Sequence, residues 1–339
     1  MLGAAGSVIA DRYRLRRPLG QGGFGEVWEA EDLHRNHVVA LKLLLARDRG
    51  SAWREASLLT ALESPYILRV NNADMVVDVP YLDTVLADCS LDKLCKPYGV
   101  EPRRAIDWTR RALRGLDLCH RRGLVHRDIK PENIFLIKPD DIRLGDFGIA
   151  ALMAADGTAD PHGDPTIMAP ELYVGGRASV ASDVYSMSVT LYTLLSGRNP
   201  FAHCKTNADL EACIVAGGYE DLRDVAPHVS VALAGKVRKG MDLDPTKRFA
   251  SAAAFDSELV LPSRDRQFEP VGAHPGHLRC WRVTGKGTDV IVCVVAQNGK
   301  VLQVETRRIG SGARVRKHCF ESKQSSVARD LRRVFNDLR

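Results

Sequence analysis

His126-Arg127-Asp128-Ile129-Lys130-Pro131-Glu132-Asn133 decides how the rest of the chain is read. It follows a segment, about Pro102 to His120, in which Ala105, Trp108, Ala112, Leu116 and Cys119 mark one face of a helix. Asp146-Phe147-Gly148 begins thirteen residues after Asn133, Ala169-Pro170-Glu171 comes next, and Asp183 and Arg248 stand further on. Met alone, Asp128, Asn133 or Asp146 is turn or loop-capping chemistry. Their order and spacing carry more than their types.

Toward the N-terminus, Tyr13 to Leu19 leads into Gly20-Gln21-Gly22-Gly23-Phe24-Gly25-Glu26-Val27, and Val38-Val39-Ala40-Leu41-Lys42-Leu43-Leu44 follows. These runs are rich in strand formers and bounded by turn residues, which predicts strand, glycine-rich turn, strand, then a third strand. Glycines without Cβ let backbone N–H groups come close to phosphate oxygens. A dinucleotide fold needs a helix directly after the glycines, whereas Glu26 to Ala30 and Val38 to Leu44 read as strands. Lys42, inside an apolar strand, is either a snorkelling edge residue or a buried cation with an anionic partner. Its apolar neighbours favour the second. Ser51 to Glu63 carries Trp53, Ala56, Leu59 and Leu62 at helical spacing, which makes Glu55 the candidate partner and Glu63 the competing one.

With the glycine-rich loop, Val39-Ala40-Leu41-Lys42, the 126–133 stretch, Asp146-Phe147-Gly148 and Ala169-Pro170-Glu171 in this order, residues 13–260 or so resemble the eukaryotic-type (Hanks-type) serine/threonine protein kinase family, in particular its bacterial members. Lys130, two residues after Asp128, is the serine/threonine pattern. The resemblance implies an α+β, bilobal protein kinase fold with a small β-rich N-lobe and a larger helical C-lobe. It implies that Gly20, Gly22, Gly23 and Gly25 cover the phosphates of ATP, and that Lys42 holds the α/β-phosphates and is fixed by Glu55. Val27, Ala40 and Phe135 would enclose the adenine, with Thr84, Val85 and Leu86 along its back and hinge. Asn133 and Asp146 become ligands for magnesium, or manganese in its place, hard cations suited to oxygen. Asp128 would orient the hydroxyl of a Ser/Thr protein substrate and take its proton, while Lys130 offsets charge on the moving phosphoryl group. Glu171 and Arg248 are expected as a buried structural ion pair, and Asp183 as a helix anchor for the catalytic loop.

The chain departs from that pattern twice. Lys42 and Glu55 are only thirteen positions apart, so the helix bearing Glu55 should be trimmed at its start. In Gly163-Asp164-Pro165-Thr166-Ile167-Met168 an aspartate stands where the family usually has a threonine. Asp164 and Asp128 at close range repel unless Lys130 or an acceptor side chain lies between them. Either Asp164 pairs with Lys130 and the protein stays active with altered acceptor choice, or the substitution lowers activity and leaves an ATP-binding switch. Thr158 and Thr166 are the hydroxyls of the segment from Asp146 to Glu171, and Arg127 marks the subgroup in which a loop phosphate pairs with that arginine. Autophosphorylation at one of them is expected. The bland alternative is that both are solvated loop residues.

Composition, 45% hydrophobic and 27% charged over 339 residues, excludes collagen-like, low-complexity and wholly disordered chains. The longest strongly apolar run, Val290 to Ala296, is far short of the ~20 residues that cross a bilayer. No secretory signal is visible in Met1 to Ala10, so a cytoplasmic protein without membrane partners is expected. Eight scattered cysteines form no C-x-x-C pair and are expected as buried small hydrophobes, without a zinc signature.

Residues 262–339 hold 16 Lys/Arg against 7 Asp/Glu, while residues 1–261 hold 32 against 35. Together with Pro262, Pro270 and Pro275 this predicts a division into an N-terminal extension (1–12), a kinase domain (13–261), a linker (262–276) and a small basic α+β domain (277–339). Strands are expected over Leu278 to Val283, Asp289 to Ala296 and Val301 to Thr306, with a hairpin turn at Asn298-Gly299. Arg314 to Phe320 is read as a further strand. A helix from Ser326, its N-cap, to Leu338 would carry Val327, Leu331, Val334, Phe335 and Leu338 on one stripe. Arg307, Arg308, Arg314, Arg316, Lys317, Arg329, Arg332 and Arg333 offer a surface for nucleic acid, an acidic protein or the acidic kinase domain itself, or else a solvated face. The expected activity is transfer of the ATP γ-phosphoryl group to protein Ser/Thr hydroxyls, self included. The rival reading is a pseudokinase that scaffolds a partner through the basic tail.

Overall fold

Alternation of apolar and polar positions folds the first part of the chain into one antiparallel sheet in the computed structural model, which describes residues 2–22, 25–44, 62–147, 149–297 and 300–339. Its strands are β1 (Val8–Ile9), β2 (Tyr13–Gly22), β3 (Gly25–Asp32), β4 (His37–Leu44), β5 (Val70–Val76) and β6 (Val79–Val85), in the order β1-β2-β3-β4-β6-β5. Tyr13, Leu15, Trp28, Ala30, Val39, Leu41, Leu43 and Tyr81 close a core on one face. Because side chains alternate along a strand, Val27, Ala40 and Lys42 fall on the other face, half-buried. Val27 stands opposite Lys42, and Ala40 opposite Thr84.

Residues 1–12 are more than an appendage. Val8–Ile9 supplies the edge strand, and the N–H groups of Leu2 and Gly3 donate to the buried Glu26 carboxylate at 2.8 and 3.3 Å. Gly25, at φ +143°, lets the start of β3 lie close against β4, since a Cβ there would meet Leu43 O at 2.0 Å. The expected helix over Ser51 to Glu63, and Glu55 with it, lies outside the described residues except for Leu62 and Glu63, which are not helical.

The larger lobe is helical. β7 (Cys89–Ser90) and α1 (Leu91–Cys95) lead to α2 (Pro102–Arg121), the helix read from the sequence. Pro102 at its first turn and the Glu101 carboxylate accepting from Arg104 N–H at 2.9 Å start α2. Its stripe from Ala105 to Cys119 packs against α4 (Val180–Ser196) and α8 (Ala252–Glu258). Between them run β8 (Leu124–Val125), the hairpin β9 (Ile134–Lys138) and β10 (Asp141–Leu144), β11 (Ala151–Leu152) and the short α3 (Pro170–Tyr173). The helices α5 (Asn207–Ala216), α6 (Leu222–Val225) and α7 (Val231–Gly240) complete the lobe. Among the described residues no helix is long and apolar enough to cross a membrane.

The C-terminal module is a five-stranded antiparallel meander, β12 (Arg266–Val271), β13 (His277–Gly285), β14 (Val290–Ala296), β15 (Val301–Arg308) and β16 (Phe320–Lys323), with α9 (Val327–Asp337) on one face. Leu331, Val334 and Phe335 of α9 pack on Trp281, Val283, Val292 and Val304, and Phe335 meets Trp281 edge-on at 5.3 Å. Three expectations are corrected. The stretch read as a linker, 262–276, contains β12. Pro270 is accommodated there because β12 is an edge strand, where no inward N–H is needed. Arg314 to Phe320 is not a strand: a 3₁₀ turn over Arg316–His318 precedes β16. Ser326 occupies the N-cap position of α9 but donates to Lys323 O instead of capping. Asn298-Gly299 lies outside the described residues.

Several basic residues of this module have acidic partners, although the module stays net basic. Arg307 and Arg314 pair with Glu305 at 3.0 and 2.7 Å, Lys317 with Asp337 at 2.7 Å, and Arg329 with Asp330 at 3.4 Å. Arg332 reaches out of the module to Asp224 in α6 at 2.6 Å. The seam centres on buried His228, whose Nδ1 accepts from Trp281 Nε1 at 3.1 Å while Arg279 donates to Val225 O. Burial, with help from the charges of Arg279 and Arg339, lowers the His228 pKa to about 3, so the seam is held by a neutral imidazole.

Candidate active site

Lys42 is carried by β4 with buried Leu41 and Leu43 on either side, which aims it away from the small-lobe core. Its Nζ meets Asp146 Oδ1 at 2.5 Å, an ion pair across 104 residues of sequence that joins the two lobes. Glu63, the competing partner, is 77% exposed and sits near Arg69 at 3.7 Å instead.

The loop from His126 to Asn133 is held from below by α4. Asp183, in its first turn, accepts from His126 N–H at 2.8 Å, Arg127 N–H at 2.9 Å and His120 Nε2 at 2.8 Å. Burial alone would raise the Asp183 pKa, but these donors and the neighbouring imidazoles hold it below the usual carboxylate range. The anchor expected of Asp183 is therefore present. Thr190 Oγ1 donates to Ile129 O and Ser186 Oγ to Ile167 O, both at 2.8 Å. Asp183, Ser186 and Thr190 lie at i, i+3 and i+7, one stripe among the several polar positions of this helix. Neither hydroxyl was singled out from the sequence, although that stripe was the available signal.

His126 orients the 126–133 loop from inside. Its Nδ1 accepts from Asp128 N–H at 3.3 Å, so the ring proton sits on Nε2, which donates to Gly145 O at 3.1 Å. Complete burial lowers the His126 pKa and keeps the imidazole neutral. Gly145 N–H in turn donates to Asn133 O at 2.9 Å. Arg127 and Asp146 both adopt left-handed backbone, at φ +67° and +53°. That conformation is costly for a residue with a Cβ and is sustained by the surrounding hydrogen bonds.

Asp128 is buried, and its two oxygens differ. Oδ2 accepts from Asn133 Nδ2 at 2.8 Å, and the same amide group donates to Asp128 O at 2.9 Å. Oδ1 takes no hydrogen bond among the described residues, with Lys130 Nζ 3.0 Å away as its ion-pair partner. Asn133 and Lys130 between them fix the direction of the carboxylate, which a group that must meet a hydroxyl in one orientation requires. Asn133 spends its amide nitrogen on Asp128, so its oxygen is the end offered to a cation.

Lys130 lies between Asp128 at 3.0 Å and Asp164 at 3.1 Å. Burial works to lower its pKa, but the two carboxylates outweigh that and raise it, so the ammonium stays charged. This resolves the repulsion foreseen between the aspartates. Asp164 Oδ1 also accepts from Thr166 N–H at 2.9 Å and Thr166 Oγ1 at 2.8 Å. Gly163, at φ +146°, lets the segment approach the catalytic loop, where a Cβ would meet Arg127 O at 2.5 Å. Arg127 itself donates to Ile149 O and Asp160 O, while Arg177 holds Thr158 Oγ1 at 2.8 Å and Asp160 at 3.0 Å.

The remaining expected residues divide by whether they are described. Val27, Ala40 and buried Thr84 share the cleft face of the sheet, Leu86 follows β6 half-buried, and Phe135 on β9 lines the floor beside Gly145. Gly20, Gly22 and Gly25 have described backbone, with Gly20 opposite Val27 and Gly22 opposite Gly25. Gly23 and Glu55 lie outside the described residues. Glu171 and Arg248 form the expected ion pair, bidentate at 2.8 and 2.7 Å.

The family model of the protein kinase domain matches residues 13–260. The chain belongs to the protein kinase family. Similar curated proteins include the serine/threonine-protein kinase PknD of Mycobacterium tuberculosis, 35% identical over 272 residues, or 75% of this chain and 39% of the relative. Serine/threonine-protein kinase pkn2 of Myxococcus xanthus is 36% identical over 59% of this chain and 26% of its own length, and PknH of Mycobacterium bovis is 30% identical over 77% and 45%. The matches thus span less than half the length of these relatives. Membership implies use of ATP and a divalent metal and action on proteins. The kinase retains Lys42, Lys130, Asp128, Asn133 and Asp146 in one cleft.

Asp164 is the kinase's own variation at this cleft. Asp164→Ala leaves Lys130 paired with Asp128 alone and opens the Thr166 turn. We expect transfer to fall by roughly tenfold to 10²-fold, as for a misplaced charged group, and the serine-to-threonine acceptor ratio to shift. An unchanged rate and ratio in paired peptide assays would remove the positioning role of Asp164.

Proposed function

We propose that the protein is a serine/threonine protein kinase, transferring the γ-phosphoryl group of ATP to serine or threonine hydroxyls of proteins, itself among them. The observation that carries this is the convergence of Lys42 and Asp146 across the two lobes at 2.5 Å, together with an Asp128 held between Asn133 and Lys130. The donor set fits its ligands. Asp146 and Asn133 offer hard oxygens for magnesium or manganese, and Lys42 and Lys130 offer cations for phosphate oxygens. Bound ATP and its metal ion supply the phosphoryl group to be transferred and part of the charge that balances it.

The chain's own residues do the rest. Val27, Ala40 and Phe135, with Thr84 and Leu86 beside them, offer a slot for the adenine, and Gly20, Gly22 and Gly25 offer backbone N–H groups to the phosphates. Asp128 Oδ1 accepts the proton of the acceptor hydroxyl as its oxygen bonds to phosphorus and the bond to the leaving ADP breaks. Lys130, held by Asp164, stays beside that oxygen and offsets the charge that develops. The Arg332–Asp224 pair supports the reading in which the basic module's acidic partner is the kinase domain itself.

Transfer of radiolabel from ATP to a generic basic protein and to the enzyme itself tests the proposal. A folded protein that labels neither overturns it. Thr158 or Thr166 should carry phosphate after incubation with magnesium and ATP, and Arg177 beside the Thr158 hydroxyl supports the former. Mass spectrometry showing no phosphate between Asp146 and Glu171 would exclude autophosphorylation there.

A further inference from the structure

Four side chains that no C-x-x-C pattern reveals converge on one face of the C-terminal sheet. His274-Pro275-Gly276-His277 is a turn closed by His277 N–H donating to His274 O at 2.9 Å. Proline at its second position and Gly276 at φ +80° at its third are what a type II turn demands. The turn sets the two imidazoles together, with ring centroids 5.2 Å apart. Cys280 follows three residues later. In a regular strand, residues three apart face opposite sides, but β13 is bulged here. His277 stands opposite Val295, Arg279 opposite Val294 and Cys280 opposite Cys293. Three steps along β13 match two along β14, and the extra residue turns His277 and Cys280 to the same face. Cys293, directly across from Cys280, completes the group. Trp281, next to Cys280, and Val292, next to Cys293, face α9, so the four lie on the opposite side of the sheet.

Three of the six separations already match the edges of a coordination shell. Cys280 Sγ lies 3.6 Å from His274 Nδ1 and 3.5 Å from His277 Nδ1, and Cys293 Sγ lies 3.7 Å from His274 Nδ1. All four ligand atoms fall within 4.8 Å of one another. A tetrahedron with Zn–N of ~2.1 Å and Zn–S of ~2.3 Å has edges of about 3.4–3.8 Å. Both sulfurs are buried, His277 is half-buried and His274 is exposed, so a cation enters from the imidazole side.

We propose that His274, His277, Cys280 and Cys293 bind one zinc ion as a structural site. Two thiolates and two imidazoles in a tetrahedral arrangement are the preference of zinc among common divalent ions. Loading releases the two thiol protons and gives a neutral complex whose four positions are all filled by protein. The ion ties the turn to the β13–β14 pair and so stiffens the strand whose Arg279 and Trp281 hold the module to the large lobe. A second group, His203, Cys204 and Cys213, offers three ligands and serves as the control.

Metal analysis of the full-length protein, purified without chelator and passed through a desalting column, should give about one zinc per chain. Cys293→Ser and His277→Ala should each lose it, whereas Cys213→Ser should keep it. Cobalt loading of the wild-type chain should produce thiolate-to-metal charge-transfer absorption with the visible bands of a tetrahedral ion, and a strong chelator should lower its melting temperature by several degrees. The wild-type measurements stand even where a variant fails to fold. The proposal is overturned by a wild-type chain without stoichiometric metal, by a different metal at these residues, or by zinc that survives Cys293→Ser. A Cys280–Cys293 disulfide in the native protein, seen as a mass lower by two hydrogens, overturns it equally.

Discussion

Replacing Asp146 by asparagine should lower phosphoryl transfer by on the order of 10²–10³-fold or more, the scale seen when one preorganised electrostatic group is removed. The substitution takes away the anion that pairs with Lys42, and with it the charged oxygen proposed to hold the metal ion, while keeping the side-chain size. It also keeps the backbone. Asp146 sits at φ +53°, and asparagine is among the few residues with a Cβ that enter the left-handed region readily. Melting temperature and far-ultraviolet dichroism should therefore stay close to wild type, which separates chemistry from folding. Single-turnover transfer that falls by less than about tenfold in a folded variant would detach Asp146 from the reaction.

Glu171→Ala should cost the protein roughly 3–5 kcal/mol of stability, the usual consequence of leaving a buried charge without its partner. The Arg248 side chain is 0% exposed, donates to both Glu171 oxygens and also to Ala181 O and Asp242 O, and lies over the Tyr185 ring. With the carboxylate gone, the guanidinium keeps two carbonyl acceptors and loses its only anion among the described contacts. A double replacement by apolar residues, Glu171→Leu with Arg248→Met, should recover much of the loss because neither charge remains to be desolvated. Thermal melting of the single and double variants checks this. A single variant within 1 kcal/mol of wild type would mean that water or another group reaches Arg248.

Much of the cleft was legible before any fold was known. The loop from His126 to Asn133, Asp146 and Lys42 are short local patterns, and their roles in holding charge depend on residue type and order. Asp183 and the Glu171–Arg248 pair were legible for the same reason. Partner identity was less so. Lys42 was expected to meet Glu55, which lies outside the described residues; its contact with Asp146 is set by how the two lobes sit and is invisible to any local pattern. Asp164 was legible only as an anomaly. Whether it repels Asp128 or shares Lys130 with it depends on separations of about 3 Å that spacing does not carry.

The C-terminal module shows the division most clearly. Its strands β13 to β15 and its helix followed from alternation and from the stripe on α9, since burial of one face imposes a period that a linear chain records. Prolines concealed β12, because an edge strand tolerates what an interior one cannot. The His274–His277–Cys280–Cys293 cluster stayed hidden for a different reason: it needs a type II turn, a bulge that rephases one strand, and a cross-strand neighbour thirteen residues away. Order along the chain specifies which groups are present and which periods they obey. Distances between side chains from different strands arise only once hydrogen-bond register and lobe packing have brought them together, and that is where the Lys42–Asp146 contact, the Lys130 bridge and the two-histidine, two-cysteine cluster come from.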